Sequence, residues 1–306
     1  MANNPSMKGV LSPVVTPFDS DLKPDTARLA AHCKWLLSND VGLAVFGTNS
    51  EANSLSTREK IGLLEGLVEA GVPAERMMPG TGCCALDDSV ALTKRAVELG
   101  CGGVLMLPPF YYKGVSVEGL YRNFAEVVER VGDDRLRVYL YHIPPVAGVG
   151  IPLELIERLM KAYPGIIAGA KDSSGDWTNT KAMLDAFQPE GFDVYPGSES
   201  FLLAALRDGG AGCISATANV NPGPIAKLYA TWQQDNADAQ QEALNTTRGI
   251  FQTYVMIPAL KAAIAHYGQD AEWNRLRPPL VELTADEQAK LIAALDADGF
   301  TMPGLV

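Results

Sequence analysis

Short apolar runs alternate with amphipathic stretches along the first two-thirds of the chain, and this alternation limits the possible folds more than any other feature. The runs cover residues 9–15, 42–46, 76–79, 103–107, 137–141, 166–171, 193–196 and 211–215. They are short, apolar and bounded by turn residues, as expected of strands buried on both faces of a parallel sheet. Between them, residues 26–37, 57–70, 87–99, 117–131, 153–162, 178–187 and 199–207 carry helical periodicity. Ser56 or Thr57 ahead of Glu59 signals a helix start, and Gly71, Gly100 and Gly209 follow last turns. Eight strands alternating with helices close most economically into a (β/α)₈ TIM barrel of the α/β class. An open doubly wound sheet is the competing arrangement, but no Gly-x-Gly-x-x-Gly follows the first run.

The strand pattern stops at Asn221-Pro222-Gly223-Pro224. Helical patterns over 225–234, 237–254, 258–267 and 285–297 follow, interrupted at Arg277-Pro278-Pro279-Leu280. The expected division is therefore a catalytic barrel over 1–224 and a C-terminal helical region over 225–306. The latter is too small to stand alone comfortably, so it is expected to pack on the barrel or on another subunit. The 306 residues are 47% hydrophobic, ample for a large core. No stretch approaches the ~20 apolar residues that span a bilayer. The first residues lack a charged segment followed by an apolar one, so a cytoplasmic protein is expected. Cys33, Cys83, Cys84, Cys101 and Cys213 are odd in number and scattered, which suits reduced thiols. A net charge of −11 argues against nucleic acid and anionic membrane as partners. An anionic substrate would need local donors.

Lys171 ends the uncharged run Gly165-Ile166-Ile167-Ala168-Gly169-Ala170 and precedes Asp172-Ser173-Ser174-Gly175-Asp176. Burial disfavours a lysine's charged form, and a neutral amine attacks carbonyls to give a Schiff base. The bland alternative is a stem lining the strand with its ammonium in water. Barrel strands deliver their C-terminal ends to one mouth. There the second strand gives Gly47-Thr48-Asn49-Ser50-Glu51, whose backbone N–H groups suit a carboxylate, or simply form a turn and helix start. The fourth leads to Pro108-Pro109-Phe110-Tyr111-Tyr112-Lys113, where the aromatic residues serve chemistry, a lid or a subunit contact. The fifth ends Tyr141-His142-Ile143-Pro144. Strand alternation turns His142 away from Tyr141 and makes it a packed histidine. The last two give Gly197-Ser198-Glu199-Ser200 and Ile214-Ser215-Ala216-Thr217. No two histidines share a metal-binding spacing and no carboxylates cluster in sequence, so no metal is expected.

Taken together, Thr16-Pro17-Phe18, Gly47-Thr48-x-x-Glu51, Tyr141-x-Ile143-Pro144 and Lys171-Asp172-Ser173-Ser174-Gly175-Asp176 span essentially the whole chain. They resemble the dihydrodipicolinate synthase/N-acetylneuraminate lyase family of class I, Schiff-base-forming aldolases. The resemblance implies a TIM barrel with a C-terminal helical extension, a homotetramer built as a dimer of dimers, and no cofactor beyond the covalent imine. It also implies roles. Lys171 attacks the ketone of pyruvate or another 2-oxo acid, and Tyr141 shuttles protons. Thr48 links Tyr141 to Tyr111, which in this family often comes from the neighbouring subunit. An extra residue before Glu118-Gly119-Leu120 leaves Tyr112 as the alternative. Thr48 and Asn49 receive the carboxylate, and the main chain of Ile214 lies near Lys171. A tyrosine, with an ordinary pKa of ~10, needs such a relay to shuttle protons.

The synthase branch places an arginine two residues after the proline of the tyrosine motif, where this chain has Val146. Losing that bidentate carboxylate partner argues against the 4-hydroxy-tetrahydrodipicolinate synthase reaction. Cys83-Cys84 and residues 57–60 replace the polar residues of that branch's lysine feedback site, and Asn49 replaces its second threonine. Ser198-Glu199-Ser200 matches the acidic pair of neuraminate lyases only in part, so Glu199 either binds a substrate hydroxyl or caps the next helix. The expected activity is cleavage of a 2-oxo-3-deoxy sugar acid or a related hydroxy-oxo acid with release of pyruvate. The synthase, a dehydratase or deaminase using the same imine, and a non-catalytic 2-oxo-acid sensor are the alternatives.

Overall fold

Along the chain, the computed structural model, which describes residues 7–305, places β1 (Gly9–Ser12), α1 (Thr26–Ser38), β2 (Gly42–Leu43), α2 (Thr57–Glu69), α3 (Leu86–Glu98), β3 (Val104–Met106), α4 (Val117–Val131), β4 (Val138–His142), α5 (Pro144–Ala147) and α6 (Leu153–Ala162). Next come β5 (Ile167–Asp172), α7 (Trp177–Phe187), β6 (Asp193–Pro196), α8 (Leu202–Arg207), β7 (Gly212–Ile214), α9 (Pro222–Thr231), α10 (Ala237–Gln252), α11 (Met256–Tyr267) and α12 (Ala285–Ala297). They fall into two units, one of Val10–Val72 with residues 215–305, the other of Pro73–Ile214 with residues 7–9.

The Pro73–Ile214 unit is built on a parallel sheet in the order β3-β4-β5-β6. Val104 pairs with Val138, Tyr141 with Lys171, and Lys171 with Tyr195. Beyond β6, Ala211 donates its N–H to Val194 and Gly9 donates to Ala211. Successive side chains on a strand alternate in direction, so Tyr139 and Tyr141 share a face. The Tyr139 ring occupies space kept free by glycine: a Cβ on Gly103 would lie 2.6 Å from it and one on Gly169 2.7 Å. Outside the sheet, α4 and α6 bury Leu120, Phe124, Val127 and Val128, and Leu155, Ile156 and Leu159, at helical spacing. The strand expected over 76–79 is a correction. Ala74–Arg76 forms a 3₁₀ turn, and the next residues meet β3 only through the parallel bridge Gly80–Leu105. Pro79 has no N–H to donate, so it contributes only its carbonyl, which accepts from Leu105.

In the other unit, β1 and β2 pair in parallel, Leu11 with Gly42 and Ser12 with Leu43, and Ser215 donates its N–H to Leu11. β1 is shorter than expected because Pro13 follows it. Buried Asn219 bonds Val15 N–H and the carbonyls of Pro13 and Ala216, so one side chain replaces the interrupted ladder. Ser56 and Glu59 form a capping box on α2, and Gly71 adopts φ 81° beyond its end, as the start and stop signals imply. The tail helices α9–α12 belong to this unit. α9 begins at Pro222 rather than at 225, because proline is well suited to the first helical position. Among the described residues, no helix is long and apolar enough to cross a membrane.

Candidate active site

Lys171 and Tyr141 are ladder neighbours near the C-terminal ends of β5 and β4, and their side chains meet. Lys171 Nζ lies 3.2 Å from the Tyr141 hydroxyl and 4.3 Å from the centre of its ring. The two residues are only 3% and 2% exposed. The lysine is thus buried on a parallel strand, and the bland reading of an ammonium reaching water does not hold. β5 runs one residue past Lys171, and Asp172 shows why the motif continues as it does. Its carboxylate accepts from Ser174 N–H, from Asn179 Nδ2 and, at 2.6 Å, from the Thr180 hydroxyl. Its carbonyl accepts from Gly197 N–H, and Ser173 N–H reaches the carbonyl of His142. Gly175 takes φ 78°, and Asp176 caps α7 at Thr178 N–H. The motif after Lys171 therefore fixes the strand end that carries the amine.

The remaining candidates of this unit lie at the ends of the other strands. Ile214 is fully buried as the last residue of β7. Glu199 is 1% exposed, and the cap of the turn that follows is the Ser198 hydroxyl, which accepts from Ser200 N–H. His142 is packed as alternation requires: Nδ1 accepts from Ile151 N–H, and burial lowers its pKa. Tyr111 and Tyr112 are 74% and 72% exposed and pack edge to face on each other at 5.4 Å. Among the described residues, little covers them. Lys113, which the sequence did not single out, ties this loop to α5 by donating to the carbonyls of Phe110 and Ala147. Val146, in the position of the synthase arginine, is exposed on α5.

In the other unit, Thr48 and Asn49 open a 3₁₀ turn, Thr48–Ser50. Gly47 N–H donates to the Ser50 hydroxyl, Glu51 N–H to the Thr48 carbonyl, and the Thr16 hydroxyl to the Ser50 carbonyl at 2.7 Å. The turn ends at Glu51, which takes φ 55° and is paired with Lys261. Sequence reasoning missed Lys261, although a lone lysine in the apolar helix Met256–Tyr267 was the available signal. Among the described residues, no three His, Cys, Asp or Glu side chains cluster as a metal site would require.

Comparison with known proteins agrees with this arrangement of motifs. The model of the dihydrodipicolinate synthetase family matches residues 6–298. An uncharacterized DapA-like lyase of Chloroflexus aurantiacus is 34% identical over 292 residues, 94% of this chain and 96% of that protein. A 4-hydroxy-tetrahydrodipicolinate synthase of Desulforamulus reducens is 33% identical over 283 residues, 91% of this chain and 93% of the relative. Among solved structures, YagE, a prophage protein of the dihydrodipicolinic acid synthase family from E. coli K12 in complex with pyruvate, is similar with a TM-score of 0.88. It is 25% identical, and the match covers 96% of this chain and 99% of that one. The fold class is that of these structures, the (β/α)₈ TIM barrel of parallel strands and helices with a helical C-terminus, as expected. The chain belongs to the dihydrodipicolinate synthetase family and is an enzyme of the lyase type found throughout it.

Proposed function

We propose that the protein is a Schiff-base lyase in which Lys171 binds pyruvate or another 2-oxo acid. Its reaction is cleavage of a 2-oxo-3-deoxy sugar acid, or a related hydroxy-oxo acid, to pyruvate and an aldehyde. The observation that carries this reading is the buried contact of Lys171 Nζ with the Tyr141 hydroxyl at 3.2 Å. The amine, in its neutral form, adds to the C2 ketone, and the hydroxyl of Tyr141 supplies the proton with which the carbinolamine oxygen leaves as water. The resulting iminium is an electron sink. Tyr141 removes the proton of the C4 hydroxyl, the C3–C4 bond breaks, and its electron pair forms an enamine. Protonation at C3 and hydrolysis then release pyruvate and restore the lysine. Thr48 and Asn49 receive the carboxylate, and Tyr111, or Tyr112 in its place, completes the relay from a neighbouring subunit of a homotetramer. The iminium serves as the electrophile, so the chemistry requires no metal.

Pyruvate in the YagE structure supports a 2-oxo acid as ligand. Val146 in the arginine position favours a sugar-derived acid over aspartate semialdehyde. The names of several relatives keep the synthase reaction as the second reading. Borohydride reduction with pyruvate is expected to add one pyruvate, less water and plus two hydrogens, to Lys171, and to add nothing to Lys171→Ala. A screen of 2-oxo-3-deoxy sugar acids, coupled to lactate dehydrogenase, should then show turnover that persists after exhaustive chelation. Trapping without turnover on any sugar acid, semialdehyde or hydroxy-oxo acid would instead describe a sensor.

A further inference from the structure

We infer that Lys261 is a positioning residue: its buried ion pair with Glu51 fixes the turn over 47–51, whose Thr48 and Asn49 receive the substrate carboxylate. The inference rests on the function proposed above. Lys261 Nζ and Glu51 Oε1 are 2.5 Å apart, with both side chains 0% exposed. The second carboxylate oxygen accepts from Arg277 N–H at 3.1 Å, and Lys261 also donates to the Arg275 carbonyl at 2.8 Å. Phe18, from the Thr16-Pro17-Phe18 motif, is faced by both cations, Lys261 Nζ at 4.5 Å and the Arg277 guanidinium at 4.9 Å. Arg277 continues outward to the carbonyls of Leu22 and Ser54 and to the carboxylate of Glu59.

A buried ion pair usually gives no stability over an apolar pair of the same volume, because both ions lose their hydration. Its value lies in register, since one partner cannot move without stranding the other. Here the partner held in register is the last residue of the substrate turn, in a left-handed conformation uncommon for glutamate. Hydrogen bonds within the turn carry that constraint to Thr48, through Glu51 N–H to the Thr48 carbonyl, and to Gly47 through Ser50. Lys261 touches none of the proposed reacting groups; it acts through the geometry of the turn.

The test titrates borohydride trapping of the full-length chain with pyruvate and, separately, with hydroxyacetone, a ketone that lacks the carboxylate. Wild type, Lys261→Met, Glu51→Gln and the double variant are compared. Misplacement of binding groups by about 1 Å has large effects, so half-saturating pyruvate is expected to rise about tenfold or more in the variants. The trapping plateau should stay intact, and half-saturation by hydroxyacetone should move less than about twofold, since no carboxylate donor is involved. Unchanged pyruvate half-saturation in folded variants would overturn the inference, as would an equal shift for both ketones. If a single variant does not fold, the double variant, which leaves no buried charge, decides the matter. Wild type that traps hydroxyacetone but not pyruvate, or neither, would overturn the proposed function and this inference with it.

Discussion

Two tyrosines on β4 have different tasks although they share a face of the strand. Tyr139 fills space between Gly103 and Gly169, and burial, reinforced by Asp193, raises its pKa. Tyr141 touches the lysine amine. Tyr141→Phe should therefore slow turnover at least about tenfold while imine trapping on Lys171 remains detectable, because a general acid–base group typically contributes ~10²–10⁴-fold. Unchanged turnover would remove Tyr141 from the mechanism. The placement of Tyr141 and Lys171 was legible because each ends a short apolar run, although only the family resemblance gave Tyr141 a role in chemistry. The Glu51–Lys261 pair was not legible, since its partners are 210 positions apart and neither neighbourhood hints at the other. His32 is a further buried group outside the site, stacked on Trp35 and tilted on Trp273. Burial, partly offset by Asn219, lowers its pKa from 6.5 to about 4. The unfolded chain takes up a proton near 6.5 that the folded chain refuses until about 4, so stability falls as pH drops through that window. The loss reaches ~3 kcal/mol, at about 1.4 kcal/mol for each tenfold change in proton affinity. Urea unfolding of wild type and His32→Gln at about pH 7 and about pH 4.5 should show a smaller pH effect in the variant. Equal slopes would show that His32 titrates normally.

At the scale of elements, the alternation of runs located the strands, while prolines and glycines set their limits and register. Pro13 cuts β1 to Gly9–Ser12, and Pro79 leaves a single bridge where a full strand was expected. Both effects could be read locally once proline's missing N–H was given its weight. The register that seats Tyr139 over Gly169 could not, because pairing of parallel strands is set by packing between distant segments. This close approach is testable on β5. A Cβ at position 169 would lie 2.3 Å from the Asp193 carbonyl oxygen and 2.7 Å from the Tyr139 ring, so backbone must shift. Gly169→Ala is expected to destabilise the protein by about 3 kcal/mol, at the upper end of overpacking costs. It should also depress imine formation, since the displaced strand carries Lys171 two residues on. Thermal and urea unfolding check the first effect and borohydride trapping the second. Wild-type stability in the variant would mean that β5 and β6 tolerate a wider separation than their ladder indicates.

At the scale of the whole molecule, the exposed residues of the 110–115 loop bear on assembly. Tyr111, Tyr112, Val115 and Val146 are all exposed, and Lys113 holds the loop against α5. Such apolar groups, exposed together on tethered loops, are what a subunit contact covers. A net charge of −11 per chain means that assembly needs this kind of local apolar contact to offset repulsion. In the proposed homotetramer of 32.7 kDa chains, Tyr111 serves the site of a neighbour, which makes sharing measurable by complementation. Lys171→Ala lacks the nucleophile, and Tyr111→Phe lacks the relay it would give to its partner. In a mixed pair, the site that keeps Lys171 receives Tyr111 from the other chain and is fully wild type, while the second site has lost both. Random pairing of equal amounts makes half of the pairs mixed, so co-refolded variants should recover roughly a quarter of the wild-type rate per site. Each variant alone should stay well below that. If the mixture shows only the average of its two components, Tyr111 acts within its own chain or not at all. The same experiment with Tyr112→Phe then tells which tyrosine completes the relay.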